Sequence, residues 1–400
     1  MIKGIFSKRF FLNLSFSYTM FVIGFCYTVT SPVLIELSKS THTTIEIAGY
    51  VFSFYFIGFI AGCYLSIWLI TYWKRKNLLL AAYFLLFVAV LSLKFTSSFI
   101  LTAGLFILMG LANGFSESQI SILIIELNKG SEGLFINLNS ALFGIGAFLG
   151  PLLTVTIIDL GFYWKNTYMA AGIICIINIV LFTLLDISKY ESPKIKMTSN
   201  IFKSIRFGNR FVFVLLILAS FFYVSTEVVL SGWIPTFLRA ERAFTEFSAG
   251  QVVSFFWAAT IIGRIFTGFF SRIFGILKIL VSITILSIIS VVFGIYSISV
   301  AGIFTSFILV GFFIAGIWPL IVAEGGILFP ANRNSVISFI FLFGVSGGLF
   351  VPFLLGIVYN KFGLLVAMNL SYIFLFLLLI CLLVLFFFRK RHNDNSNGKI

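Results

Sequence analysis

Apolar runs long enough to cross a bilayer follow one another almost without interruption along this chain, and that pattern restricts its architecture more than any motif does. A hydrocarbon core about 30 Å thick is crossed by about 20 apolar residues of helix. Backbone polar groups in lipid must be satisfied within the segment, which excludes open sheets and irregular loops there. Between their polar breaks the runs number twelve, centred near residues 23, 59, 87, 113, 148, 176, 224, 260, 287, 314, 347 and 376. The expected fold class is therefore an all-α membrane protein of twelve transmembrane helices. Composition agrees, because 60% of the 400 residues are hydrophobic and only 10% are charged. A soluble domain of this size cannot bury so much apolar surface. The first run, from about Phe10 to Leu37, is too long for the core of a cleavable signal peptide, and no small-residue cleavage site follows it.

An even number of spans puts both termini on one side, and the basic residues indicate which. Of the 27 Lys and Arg, only Lys39, Lys94, Lys165, Arg239, Arg242 and Lys361 fall on the side opposite the termini. By the positive-inside rule both termini are expected in the cytoplasm. The net charge of +14 is thus read as a topology signal, and no nucleic-acid partner is expected. Richness in Phe, Ile, Lys and Asn suggests an AT-rich genome, so the bacterial cytoplasmic (inner) membrane is the expected location.

The longest polar interruption, Asp186 to Arg210, falls after six runs and before six more. The expected organisation is an N-terminal six-helix bundle over 1–186, a cytoplasmic linker over 187–210, a C-terminal six-helix bundle over 211–388 and a cytoplasmic tail over 389–400. The halves echo each other at an offset of about 200 residues. Phe143-Gly144 with Gly150-Pro151 matches Phe343-Gly344 with Pro352, and the stretch from Gly110 to Gly114 matches the stretch from Gly311 to Ala315. Duplicated parallel halves of this kind resemble the construction of the major facilitator superfamily.

Most of the thirteen acids lie in loops or at the ends of runs, and Glu126 and Glu324 are read there as end charges able to reach water. Glu117 and Glu227 are different. Glu117 stands about 9 residues, or about 13 Å, from the near end of the fourth run, and Glu227 is about 11 residues from the far end of the seventh. An acid at mid-depth costs several kcal/mol unless it is protonated, paired or exposed to an internal aqueous cavity. Asn113, Glu117 and Ser121 recur at i, i+4 and i+8, forming one polar stripe. In the seventh run Tyr223, Thr226, Glu227 and Leu230 share a face. Such groups either hydrogen-bond between helices or line a cavity. No intramembrane cation is expected to accompany the acids, since Lys94 and Arg264 are read as lying too close to helix ends. A carboxylate that can take up and release a proton suits a proton-coupled carrier, and the lack of cationic clamps argues against phosphorylated substrates.

Cys26, Cys63, Cys175 and Cys381 lie inside apolar runs without metal-ligand spacing, and the chain has only two histidines, His42 and His392. Neither a metal site nor a cofactor is expected. There is no nucleotide-binding loop or nucleophile elbow, so an enzyme is not expected either.

Four segments carry a closer resemblance. YVSTEVVLSGWIPTFL from residue 223, continued by SAGQVVSFFWAATIIGRIFTGFFSRIFG from 248, resembles helices 7 and 8 of the superfamily's fucose–galactose–glucose:proton symporter branch. GLANGFSES from 110, GFFIAGIWP from 311 and FGVSGGLFVPFLLG from 343 resemble its helices 4, 10 and 11. The resemblance implies that Glu117 lies in a central cavity and takes part in proton coupling and sugar binding; Glu227, the other mid-depth acid, is the second candidate by its position. The polar stripes themselves make Asn113, Ser121 and Tyr223 candidate substrate contacts, and Trp257 and Trp318 are candidate aromatic platforms for a sugar; Ser121 stands where the family often has an Asn. Trp233 is either a sugar platform or an interfacial anchor. The family's loop motif after helix 2 keeps its basic residues in ITYWKRK but has Thr71 where an Asp is expected. Arg75, Arg264 and Arg272 are the candidate gating residues of the two such loops. GIGAFLGPLL from 144 resembles part of an exporter motif and is read as helix-packing glycines.

The combined expectation is a secondary transporter moving a small neutral polar solute, such as a sugar, together with protons by alternating access, as a monomer in the lipid bilayer. The alternative is a proton-antiport exporter of drugs, metabolites or siderophores. A non-transporting receptor on the same scaffold would have no use for titratable groups at mid-depth.

Overall fold

The computed structural model describes residues 2–129, 131–187 and 207–397. Most of the expected linker at 187–210 and the end of the tail therefore lie outside the described residues. Among those described, twelve helical segments are long and apolar enough to cross a membrane, and each encloses the centre expected for it. The first span joins α1 (Ile2–Thr28) and α2 (Leu34–Ser40) through a short turn at Ser31–Val33 that contains Pro32. Spans two to six are α3 (Ile45–Leu69), α4 (Arg75–Leu93), α5 (Phe99–Leu127), α6 (Glu132–Asp159) and α7 (Asn166–Thr183). Spans seven to nine are α8 (Phe207–Glu241), α9 (Glu246–Phe274) and α10 (Ile276–Tyr296). The tenth is split into α11 (Val300–Ile314) and α12 (Ile317–Leu328); the eleventh is α13 (Arg333–Phe362), and α14 (Leu364–Met368) with α15 (Leu370–Asn397) forms the last.

The split in the tenth span has a local cause. Pro319 lacks the N–H that would bond the carbonyl of Ala315, so the ladder fails there. Gly316 fills the break, where a methyl group would lie 2.2 Å from Thr267 Oγ1.

Two compact units result. The first contains spans one to six together with Gly232–Trp257, which are the adjoining parts of α8 and α9; the second contains the rest of α8 and α9 with α10 to α15. Close helix approaches hold the first unit together. Methyl groups at Gly58 and Gly62 of α3 would lie 1.9 and 2.1 Å from the carbonyl oxygens of Ile107 and Leu111 in α5. Those at Gly110 and Gly114 would lie 1.9 and 2.1 Å from the carbonyl oxygens of Tyr55 and Phe59. Spans two and four thus touch backbone to backbone, which only small residues permit. Spans one and five meet likewise through Gly24 on Phe143 and Gly146 on Phe21. In the second unit, Gly347 of span eleven lies against Phe221 of span seven, and Gly263 of span eight against Phe312 of span ten. The pairings one with five and two with four recur as seven with eleven and eight with ten. That recurrence is the internal repeat expressed in packing.

Candidate functional site

In the first unit the glycine-mediated contact of α3 with α5 brings polar side chains together at mid-span. Asn113 is fully buried, and its Nδ2 donates to the hydroxyl of Tyr55 in α3 at 3.1 Å. Glu117, one turn on and partly exposed, lies within electrostatic reach of the Tyr55 hydroxyl and the Cys63 thiol. Ser121, a further turn along, is also partly exposed. Asn113 Oδ1 and Ser116 Oγ are buried and accept no hydrogen bond. Buried orphan acceptors are rare in folded proteins and mark places where water or a ligand completes the set. Directly after Glu117 the contact stays polar, with Ser66 Oγ donating to Ser118 Oγ at 3.0 Å and Gln119 Nε2 to the Ser66 carbonyl at 3.3 Å.

Aromatic rings surround this region. Tyr27 in α1 lies 5.5 Å from Tyr55, 6.0 Å from Phe56, 6.4 Å from Phe143 and 6.4 Å from Trp257, between ring centroids. Trp257 makes T-shaped contacts with both Tyr27 and Phe143 and is buried, so in this conformation its ring is not accessible. Tyr27 and Tyr55 escaped the sequence reading. Nothing but the helical register of an unknown partner separates them from the many other aromatics of the apolar runs. Trp233 is buried over Gly49, where a methyl group would lie 2.0 Å from its Cζ2. Its ring faces no lipid headgroup and packs as a knob between α8 and α3.

In the second unit the Tyr223 hydroxyl donates to the Glu227 carboxylate one turn away in α8. The Tyr223 ring lies against Trp318 at 5.8 Å, and Trp318 is seated over Gly344 and edge-on to Phe341. Thr226 does not share this face. Its hydroxyl donates to the carbonyls of Phe222 and of Ser371 in the last span. Arg264 acts electrostatically on Glu227, contrary to the expectation that it lay too near a helix end. The reason is the length of α9, which continues ten residues past Arg264 to Phe274 and so places it well within the span. Arg272, in the last turn of α9, is exposed.

The end charges on the side that carries the termini also differ from expectation. Arg75 is buried, and its Nη1 donates to Glu126 Oε2 at 2.8 Å, so Glu126 supplies the countercharge that Thr71 cannot. Glu324 is no end charge reaching water. It is fully buried and takes a 2.5 Å hydrogen bond from Arg389 Nη1 on the last helix. A buried carboxylate is tolerated because the arginine accompanies it.

The Major Facilitator Superfamily model matches residues 16–323. Among curated relatives, a "Protein TsgA homolog" of Buchnera aphidicola is 24% identical over 84% of each chain. The "Glucose/mannose transporter GlcP" of Bacillus subtilis is 24% identical over 92% of each chain. Two solved structures share the fold. A bacterial homologue of the human lysosomal transporter Spinster, inward-facing and occupied, has a TM-score of 0.77 at 12% identity, over 94% of this chain and 97% of that one. The nucleoside transporter NupG has a TM-score of 0.74 at 13% identity, over 94% and 99%.

Proposed function

Because the chain belongs to the Major Facilitator Superfamily, whose members compared above are membrane transporters and not enzymes, we propose that it carries a small, sugar-like polar solute together with protons by alternating access. The observation that carries this reading is Glu117, a mid-span carboxylate beside the Tyr55–Asn113 pair, next to a buried Asn oxygen that lacks a donor. A hydroxylated solute supplies such donors, and a carboxylate in that setting supplies a proton site. The glucose/mannose transporter among the relatives supports the sugar class. Glu227 is assigned second place as a proton site, because Arg264 offers it a fixed countercharge. The two halves expected at 1–186 and 211–388, joined through the central linker, are the proposed rocking bodies. The basic residues support cytoplasmic termini in a bacterial inner membrane.

The test is flux into proteoliposomes under an imposed pH gradient, screened over sugars beginning with glucose and mannose. Glu117→Gln is expected to abolish gradient-driven accumulation while leaving exchange across the membrane. Intact accumulation in that variant would remove Glu117 from the mechanism.

A further inference from the structure

Near the far end of α8, opposite the termini, Arg239 is gripped by groups from separate elements of the first unit. Its Nη1 donates to Glu36 Oε2 at 2.8 Å, its Nη2 to Glu36 Oε1 at 2.6 Å, and Nη1 also to the carbonyl oxygen of Pro32 at 3.2 Å. This two-pronged arrangement is the strongest geometry an arginine makes with a carboxylate. Glu246, the first residue of α9, stands apart. Its Oε1 lies 3.8 Å from Arg239 Nη1, is buried and has no hydrogen-bond partner. Lys39 acts on Glu246 electrostatically. The side chains are shielded, at 16% exposure for Arg239 and Glu36 and 22% for Glu246.

The two carboxylates differ in what they are attached to. Glu246 and Arg239 belong to one hairpin, since α8 ends at Glu241 and α9 begins at Glu246. Glu36 belongs to the first span, 203 residues away along the chain. Below the cluster the hairpin packs against span two, with Trp233 of α8 over Gly49 of α3 and Phe52 of α3 against Gly232 of α8. Any movement that parts the first span from the hairpin takes Glu36 and the Pro32 carbonyl away from Arg239. A shielded guanidinium left without a countercharge is strongly unfavourable. Glu246 travels with it and already has an oxygen waiting.

We propose that Arg239 is an exchange latch, paired with Glu36 while the far face is closed and handed to Glu246 when it opens. The inference rests on the alternating-access reading and adds the partner that keeps the charge neutralised in the open state. It assigns the two glutamates opposite effects. Glu36 stabilises the closed arrangement and Glu246 the open one.

Thr236, one turn from Arg239 in α8, is buried and its hydroxyl has no hydrogen-bond partner, so Thr236→Cys makes a mild reporter of opening. Its labelling by a membrane-impermeant maleimide is followed in intact and in permeabilised cells, with the unmodified chain as the blank that subtracts label on the partly exposed Cys63; Cys26, Cys175 and Cys381 are buried. Glu36→Gln is expected to raise the labelling rate roughly tenfold. Glu246→Gln is expected to lower it. In an Arg239→Gln background the Glu246→Gln change should lose most of its effect, because Lys39 alone is left to act on Glu246. A static clamp would instead make both glutamate variants raise labelling, and a cluster without a gating role would leave all rates equal; either result overturns the exchange. Should Glu36→Gln fail to reach the membrane, Glu36→Asp, which keeps the charge but shortens its reach, carries the same comparison. Labelling needs neither substrate nor proton gradient, so its failure is separable from a failure of Glu117 as the proton site.

Discussion

At the scale of single residues, the acids show what spacing along a chain reveals and what it hides. Glu117 stood out because its distance from both ends of one apolar run is countable, and its polar neighbours repeat every four residues. Glu324 was misread because its burial depends on Arg389, 65 residues away, and no local pattern encodes that meeting. Arg264 beside Glu227 and Arg239 on Glu36 are of the same kind. The Glu324–Arg389 pair leads to a prediction of its own. Removing the arginine strands a fully buried carboxylate, whereas Arg389 itself is 42% exposed and can turn to water. Arg389→Ala is therefore expected to destabilise the protein by about 3 kcal/mol, and Glu324→Gln by distinctly less. Combining the two should recover most of the loss. Thermal unfolding of the purified variants in detergent measures all three, and a double variant as unstable as Arg389→Ala alone would refute the pairing as the cause.

At the scale of helices, the apolar runs located every span but not which spans pack together. Gly110 and Gly114 announce a close approach in the sequence, since glycine spaced by four leaves a flat strip on a helix. That the strip meets Gly58 and Gly62 of α3, rather than another helix, is settled only by the fold. The broken tenth span was likewise unread, although Gly316 and Pro319 carried the signal. The α3–α5 contact is also what sets the site, because it brings Tyr55 to Asn113. A bulky residue at Gly110 must push the two backbones apart and separate that pair. Gly104, on the same helix, has nothing within 4 Å of where a methyl group would sit. Gly110→Val is therefore expected to cost about 1–3 kcal/mol and to abolish transport. Gly104→Val should be neutral in both thermal unfolding and flux, and equal behaviour of the two would dissociate the site from the helix contact.

At the scale of the whole molecule, twelve spans follow from hydropathy and the repeated pairing of spans from the fold, but neither gives the direction of insertion. We infer it from charge. Short loops rich in Lys and Arg resist translocation, and, Arg264 within its span aside, the side carrying the termini holds all but six of the 27 basic residues. The argument is strongest at Lys74-Arg75-Lys76, a short loop with three successive positive charges. It is tested by two reporters that work in opposite compartments. Green fluorescent protein fused after Ile400 is expected to fluoresce, and alkaline phosphatase at the same place to be silent. Inserted instead at the turn around His42, between α2 and α3, each reporter should reverse. An active phosphatase at the C-terminus would invert the whole chain, placing the Arg239 cluster on the cytoplasmic face and the Arg75–Glu126 pair outside. A silent phosphatase there, with an active one near His42, keeps the latch on the side from which a bacterial cell takes up its solutes.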